Sequence, residues 1–490
     1  MAPMKSENPA LKSYIQGRSC VLLGLGVSNL PLARQLVAMG VPLTVRDRRA
    51  PYELGEEAIR LQKEGVRFLS EDAEDCLCGK LIFRSPGIRP DLPSLLAAQE
   101  AGAELTSEIE LFLKLTQNDT FAVTGSDGKT TSTTLTGLFL EAEMNRRGHG
   151  QVLVGGNIGA PLLDRLPELG PQDPVVMELS SFQLMTLKDS PTYAAVTNLS
   201  PNHLDWHENM EEYVQAKRRI VGPRTRRLVT NADCDPTARL AQDLLLRRSQ
   251  GENTPALYLF SSRKTSFQEI FKDGFGPKDR ALFERNGILY VADAKVETPL
   301  LNVDAIGVPG RHNIENFMTA MGLTLGAVNP AVYPTVAASF RGVAHRLEWI
   351  RRFEGVDYYN SSIDSSPTRT AAALSALSGR DVVIICGGYD KRIPFEPLAD
   401  ALISHVRAVV LTGATAKKIQ EAILRHPRYH AGHPEILQVR SFEDAVRQAK
   451  DLARPEGCVL LSPACASFDA FRNFAHRGDT FRKIVESFEN

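Results

Sequence analysis

Between residues 122 and 135 the chain reads AVTGSDGKTTSTTL. An apolar, strand-like tail breaks into Gly125-Ser126-Asp127-Gly128-Lys129-Thr130-Thr131 and resumes as a threonine-rich helix. These residue types suit a phosphate. Glycines permit tight turns, successive backbone N–H groups face an anion, Lys129 can reach terminal phosphates, and Thr130 offers a hydroxyl to Mg²⁺. The spacing is tighter than in the common phosphate loop, because Val123 stands where the first glycine would be and Gly125 lies closer in. Further along, Glu178 in MELSSFQL falls at the end of an apolar run, and His203 and Asp205 in NHLDWH follow another. Hard oxygen ligands and one imidazole beside a phosphate loop point to Mg²⁺ rather than zinc.

Two other groups of residues stand where chemistry could occur. Gly24-Leu25-Gly26-Val27-Ser28-Asn29 follows one apolar run and opens a helical pattern, with Asp47 21 residues beyond Gly26. A dinucleotide fingerprint would carry a third glycine at Asn29, so a nicotinamide dinucleotide, another nucleotide diphosphate and a purely structural turn all remain open. Near the C-terminus, Gly387-Gly388-Tyr389-Asp390-Lys391 and the stretch SPACASFD (462–469) place small residues where a ligand can approach the backbone, and Lys391 could hold a carboxylate or phosphate. Cys465 has no base in its local context and reads as an inert thiol. The basic run formed by Lys217, Arg218, Arg219, Arg224, Arg226 and Arg227 reads, for its arginines, as a solvated face.

The elements that must position these residues alternate. CVLLGLG (20–26), PLTVRD (42–47) and KLIFRSPGI (80–88) are strand candidates separated by helical stretches, which predicts a parallel sheet. A composition shift at LKLTQNDT (113–120) precedes a second α/β series, and ALFERNGILYVADA (281–294) predicts an antiparallel hairpin around Asn286-Gly287. DVVIICGGYDK (381–391), VRAVVLTGA (406–414) and GCVLLSPACASFD (457–469) predict a third sheet of the doubly wound kind. At 490 residues the chain exceeds one core, and a prior of about 150 residues per domain gives three. The 57 basic and 58 acidic side chains leave a net charge of −1, which argues against nucleic-acid or membrane-surface binding by bulk charge. The polar N-terminus is unlike a signal peptide, no stretch approaches the about 18 apolar residues of a membrane span, and seven scattered cysteines, Cys76 and Cys78 among them, suit a reducing compartment; a cytoplasmic protein is expected.

Taken in order, TGSDGKTT, GGNIGAPL (155–162), ELSSFQL, NHLDWH, the lysine in YVQAKRRI (213–220), GRHNIENFMTA (310–320), HRLE (345–348), GGYDK and LSPACASFDAFRNFAHRGDTF (461–481) resemble the Mur ligases over nearly the whole chain. The match is poor at about 235–300. The ASFDAFRNFAHRG segment is similar to the D-glutamate-adding branch.

The resemblance implies an α/β protein of three domains: a Rossmann-like N-terminal domain at 1–107 holding the UDP of the substrate, a central P-loop ATPase-like domain at 108–344, and a Rossmann-like C-terminal domain at 345–490 that closes over both. It implies ATP-dependent joining of D-glutamate to UDP-N-acetylmuramoyl-L-alanine through an acyl phosphate, by a monomer without nucleic-acid or membrane partners. ATP would be held by Gly125, Ser126, Asp127, Gly128, Lys129, Thr130, Thr131, Asn313 and Arg346. The UDP-substrate would meet Gly26, Ser28, Asp47, Ser85, Gly87 and Asn157, and D-glutamate would meet Ser365, Lys391, Ser467 and Phe474. Two Mg²⁺ ions would be held by Thr130, Glu178, His203 and Lys217, the last as a carbamate; Lys129, Glu178, His203 and Lys217 would be the catalytic set. The segment NSSIDSSPTRT (360–370) departs from the family pattern, since Ser361 follows the Asn and the acid appears at Asp364. Rival readings are a sibling or folylpolyglutamate-synthetase-like ligase, a non-catalytic nucleotide switch and a nicotinamide oxidoreductase.

Overall fold

The computed structural model describes residues 8–489 except 27, 74–76, 204–205, 309 and 391–393. Lys391, Asp205 and Cys76 therefore lie outside the described residues. The chain divides into two compact units, Met1–Ser339 and Phe340–Asn490.

The first unit contains two sheets. The N-terminal one is built from β1 (Cys20–Leu23), β2 (Leu43–Arg46), β3 (Arg67–Leu69), β4 (Leu81–Arg84) and β5 (Glu104–Thr106) in the order β3-β2-β1-β4-β5, all parallel. The reversal of strand order on either side of β1 opens a crevice at the carboxyl ends of β1 and β4, where open α/β sheets take ligands. The second sheet has nine strands: β6 (Thr120–Thr124), β7 (Leu153–Gly156), β8 (Val175–Glu178), β9 (Tyr193–Val196), β10 (Arg227–Asn231), β11 (Ala256–Ser261), β12 (Arg280–Arg285), β13 (Ile288–Ala292) and β14 (Glu297–Asn302), in the order β14-β13-β12-β11-β10-β9-β6-β8-β7. Strands β6 to β12 run parallel, and their apolar residues are buried on both faces, as two layers of helices require.

The hairpin expected around Asn286-Gly287 is present. Arg285 pairs with Ile288, and both turn residues take positive φ, 52° and 78°. It is continuous with the parallel sheet, because β12 pairs with β11 on its other side. The stretch 235–300 thus extends the sheet by β11 to β14 and adds the helix Asp235–Ser249.

The second unit carries β15 (Glu348–Phe353), β16 (Val356–Asn360), β17 (Val382–Cys386), β18 (Ala408–Leu411), β19 (Glu435–Gln438) and β20 (Cys458–Leu461), in the order β15-β16-β20-β17-β18-β19. Only the edge pair β15–β16 is antiparallel. The runs VVIIC and CVLL are wholly buried, and the loops after β16, β17 and β20 emerge from adjacent strands at one end of this sheet. No helix is long and apolar enough to cross a membrane among the described residues.

Candidate active site

The loop between β6 and the helix Lys129–Arg147 is fixed from several sides. Gly125 has φ 146° and a Cβ there would overlap Thr197 Oγ1; Gly128 has φ 76° and a Cβ there would overlap the Asn316 carboxamide oxygen. Both glycines are demanded by the fold itself. The Ser126 amide donates to the Asn198 carbonyl at 2.8 Å and the Asp127 amide to Asn198 Oδ1 at 3.0 Å. Ser126 Oγ donates to the Ser200 carbonyl and shares a hydrogen bond with the Tyr213 hydroxyl, each at 2.9 Å. Thr130 and Thr131 occupy the first helical turn, where the macrodipole favours an anion.

Two lysines converge on one carbonyl of this loop. Lys129 Nζ donates to the carbonyls of Gly125 at 3.0 Å and Ser126 at 2.8 Å, while Lys217 Nζ donates to Gly125 O at 2.9 Å and Thr124 Oγ1 at 3.2 Å. Lys217, 2% exposed, stands on the helix Met210–Arg218 with its ammonium 4.8 Å over the Tyr213 ring. Burial, and then the charge of Lys129, hold its amine well below the usual lysine range, against the opposing pull of Glu178 and Asp127.

Glu178 ends β8, 2% exposed. Its Oε1 accepts from Asn157 Nδ2 at 2.7 Å, and its buried Oε2 has no hydrogen-bond partner. A buried carboxylate with one oxygen held and the other unmatched, beside a phosphate loop, fits a hard cation. Asn157, expected at the substrate, therefore also orients this carboxylate. His203 follows β9 with φ 54°, exposed, its ring 5.1 Å from that of Phe182. Asn313 lies on the helix Arg311–Thr324, where Asn316 Nδ2 donates to its Oδ1 at 3.4 Å.

The N-terminal corner is built differently. Asp47, buried beyond β2, accepts from the Leu25 amide at 2.9 Å and from the Arg49 amide at 3.0 Å. Burial by itself would raise this carboxyl, but the Arg49 guanidinium and these amides more than offset it and hold it below the ordinary aspartate range. Asn29, in the third-glycine position, donates to the Gly24 carbonyl at 2.8 Å and to Ser85 Oγ at 3.2 Å, and Ser85 Oγ donates to Gly24 O at 2.9 Å. The polar side chain thus closes the β1 and β4 ends together. Ser28 precedes the helix Asn29–Ala38 without capping it through its side chain. Gly87 accepts, through its carbonyl, a hydrogen bond from Trp206 Nε1 at 3.2 Å.

In the second unit, Arg346 is presented between His345 and Leu347, which both have positive φ, 63° and 43°. Ser365, Ser467 and Phe474 lie on the loops after β16 and β20 and at the start of the helix Phe474–Glu486. One buried guanidinium ties these segments: Arg477 donates to Ser362 Oγ at 3.0 Å and to the carbonyls of Ser362, Cys465 and Ala466 at 2.9, 3.0 and 3.1 Å, and Ser362 Oγ donates to the Phe474 carbonyl at 2.8 Å. The departing residues Ser361 and Asp364 are used within this unit, Ser361 Oγ accepting from the Leu347 amide at 3.1 Å and Asp364 Oδ2 from Ser462 Oγ at 2.9 Å. Cys465 is buried, bonded to Thr415 Oγ1, and pushed up to about 11 by burial, which fits its reading as inert.

The basic run is not simply a solvated face. Arg224 donates to the carbonyls of Leu113 and Thr116 at 2.5 and 3.3 Å, and Arg227 to those of Gly322, Leu323 and Leu325 at 3.0, 3.0 and 2.9 Å. Each satisfies the orphan carbonyls at a helix C-terminus, where cations are favoured. Arg226, loosely paired with Asp119 at 3.7 Å, alone of the three remains mostly solvated. Sequence reasoning missed Thr124, Asn198, Tyr213 and Asn316, which build the phosphate corner; Thr124, Tyr213 and Asn316 stand in the quoted motifs, but only the fold reveals what they touch.

Known proteins resemble this chain in sequence and fold. The family described as Mur ligase middle domain matches residues 123–324, and that described as Mur ligase, glutamate ligase domain matches 345–465. The chain is 39% identical over 490 residues, 99% of its length and 100% of the relative's, to UDP-N-acetylmuramoylalanine--D-glutamate ligase of Ruminiclostridium cellulolyticum. Relatives with the same name from Acetivibrio thermocellus and Clostridium novyi are each 40% identical, covering 98% and 99% of this chain and 98% and 100% of theirs. The crystal structure of UDP-N-acetylmuramate-alanine ligase from Thermotoga maritima shares the fold, with a TM-score of 0.53 at 20% identity over 96% of this chain and 99% of that one. From the phosphate corner to the loops of the second unit, the chain belongs to the Mur ligase family.

Proposed function

We propose that the chain joins D-glutamate to UDP-N-acetylmuramoyl-L-alanine in peptidoglycan precursor synthesis, converting ATP to ADP and phosphate. It is an ATP-dependent, amide-bond-forming ligase. The observation that carries the chemistry is the corner at Gly125, where a phosphate loop, Lys129, a buried Lys217 and a half-satisfied Glu178 adjoin. The names of relatives that align over nearly their whole length support the two substrates.

A carboxylate does not acylate an amine directly, because its oxygen is a poor leaving group. The L-alanine carboxylate attacks the γ-phosphorus, ADP leaves, and the acyl phosphate forms. The D-glutamate amine then attacks the carbonyl carbon, phosphate departs, and the amine loses a proton. Lys129 exchanges its two loop carbonyls for the phosphate oxygens, and the amides at the start of the helix Lys129–Arg147 supply fixed dipoles. Thr130, Glu178, His203 and Lys217 would hold two Mg²⁺ ions, which supply charge neutralisation at the phosphates. For this Lys217 must be an anion. Burial and the charge of Lys129 favour its neutral amine, the form that adds CO₂ to give a carbamate and release a proton.

In the N-terminal domain, 1–107, Gly26, Ser28, Asp47, Ser85 and Gly87 would receive the uridine diphosphate, with Asn157 of the central domain, 108–344, near the acyl end. Asn313 would meet the adenine and Arg346 a phosphate. Ser365, Lys391, Ser467 and Phe474 of the C-terminal domain, 345–490, would hold D-glutamate.

The test is an amino-acid panel. With UDP-N-acetylmuramoyl-L-alanine, ATP and Mg²⁺, mass spectrometry should find the D-glutamyl product and no comparable product with L-glutamate, L-alanine or a diamino acid. A product with another amino acid instead would retain the ligase chemistry and replace the substrate.

A further inference from the structure

The loop after β4 and the loop after β9 meet at one guanidinium. Arg89 donates from Nη1 to the Trp206 carbonyl at 2.8 Å and from Nη2 to Glu212 Oε1 at 2.7 Å, and it lies 5.1 Å over the Trp206 ring. Asp91 accepts from its Nε and Nη2 at 2.9 and 2.6 Å, and Glu208 stands 3.7 Å away. The carboxylates of Asp91, Glu208 and Glu212 thus gather around a cation that the chain itself supplies. Glu212 Oε2 also accepts the Glu208 amide at 2.9 Å and pairs with His207 Nδ1 at 3.1 Å, while His207 Nε2 shares a hydrogen bond with Ser181 Oγ at 2.9 Å.

Ser181, His207 and Glu212 have the connectivity of a serine–histidine–acid relay. Nucleophilic use does not follow, because Ser181 and His207 are each 2% exposed and Glu212 is already held by Arg89. What the arrangement does is join two places. At one end, the loop 85–88 is pinned to Gly24 by Ser85 and to Trp206 by the Gly87 carbonyl. At the other, Glu212 shares its helix with Tyr213, which meets Ser126, and with Lys217, which meets Gly125. Arg84 supports the same junction from inside, donating to the carbonyls of Pro86 and Ile88 at 3.0 and 2.5 Å and, across to the segment after β8, to the Phe182 carbonyl at 2.8 Å.

We propose that Arg89, acting through Glu212 and His207, is a positioning residue: it fixes the helix of Lys217 and the segment after Glu178 at a set distance from the 85–87 loop. The inference rests on the ligase reading above, in which one substrate molecule reaches from that loop to the phosphate corner. Both partners are partly buried, and Arg89 Nη1 also approaches Glu212 Oε2 at 3.4 Å, so the forked contact outweighs an ordinary surface ion pair.

The experiment uses the full chain with Arg89→Ala, Arg89→Lys, Glu212→Gln and the Arg89→Ala/Glu212→Gln double variant. Phosphate release is measured with UDP-N-acetylmuramoyl-L-alanine, ATP and D-glutamate, and amide hydrogen exchange without ligands. Because misplacement by about 1 Å costs on the order of 100-fold, Arg89→Ala should lower kcat by about 10- to 100-fold while KM for ATP stays within about 2-fold. The double variant should fall no further than the worse single one, since the two side chains act as one unit, and Arg89→Lys should recover part of the loss. Exchange across 210–218 should rise by about 10-fold in Arg89→Ala, with 311–324 unchanged as the check on global folding. An unchanged kcat, multiplying losses, or unchanged exchange in 210–218 would overturn the proposal. A wild-type chain that releases no phosphate with these substrates would instead overturn the ligase reading, and the exchange arm still decides the bridge.

Discussion

Two strand–glycine–helix corners in the first unit look alike in sequence and differ in what the fold asks of them. At 125–128 both glycines are required for internal reasons, by positive φ and by the approach of Thr197 and Asn316. At 24–26 only Gly24 has positive φ, 75°, whereas a Cβ on Gly26 would meet nothing nearer than Ser85 Oγ at 3.9 Å. The charges differ as well. The N-terminal corner is neutralised from within, its Leu25 amide already bound to Asp47 and Asp47 to Arg49. The central corner instead crowds two lysines onto the Gly125 carbonyl beside a carboxylate with a buried, unmatched oxygen. A glycine pattern therefore marks a place where a phosphate can approach; charged residues from distant strands and helices decide what chemistry happens there.

The largest effect should follow from Gly125→Ala. With φ 146° and Thr197 in the way, the loop must move, and kcat/KM for ATP should fall by about 1,000-fold, or about 4 kcal/mol. Steady-state phosphate release measures this, and a loss under about 10-fold would erase the contrast between the corners. Next, Lys217→Ala should lower kcat by about 100-fold, as loss of one charged group at the phosphates does. Depleting CO₂ and bicarbonate should slow the wild-type chain, and ¹³C-bicarbonate should give a carbamate NMR signal that disappears in Lys217→Ala. No dependence on CO₂ would leave Lys217 an ordinary buried amine.

Between the corners, on the helix Glu108–Leu115, Glu110 is buried with Oε2 unmatched, and burial pushes its carboxyl up to about 7 from 4.5. Its proton is bound more tightly in the folded chain than in the unfolded one. Stability therefore falls as pH rises from about 4.5 to about 7 and changes no further above that. Glu110→Gln should stabilise the chain by about 2–3 kcal/mol at pH 8 and by little at pH 4.5, read from denaturant unfolding at both values. The smallest effect should be Gly26→Ala. Folding stability should change by less than about 0.5 kcal/mol, since a Cβ there meets only Ser85 Oγ at 3.9 Å, while KM for the UDP-substrate rises if the proposed uridine diphosphate site uses the space over Gly26. A large drop in melting temperature would reverse that reading.

Much of this was legible in the sequence because it is local. Alternating apolar runs marked the strands, Asn286-Gly287 marked the hairpin, and Glu178 was placed at a strand end by the run before it. What stayed hidden involves partners that carry no sequence signal. Arg84 and Arg477 are both buried, lowered to about 10 by burial, and bound mostly to backbone carbonyls, which every residue offers alike. Arg224 and Arg227 likewise bind backbone carbonyls, at helix ends that were invisible in a run of basic letters. Asn29 looked like a defect in a glycine fingerprint, and proves to be the side chain that stitches β1 to β4.

The most direct measurement is phosphate release by the wild-type chain and by Lys129→Ala, with UDP-N-acetylmuramoyl-L-alanine, ATP and Mg²⁺, in the presence and absence of D-glutamate. Release that requires D-glutamate, and that falls by at least about 100-fold in Lys129→Ala, would establish the Gly125 corner as the phosphate-donor site of a D-glutamate ligation. Release that is indifferent to D-glutamate, or that survives in Lys129→Ala, would contradict it.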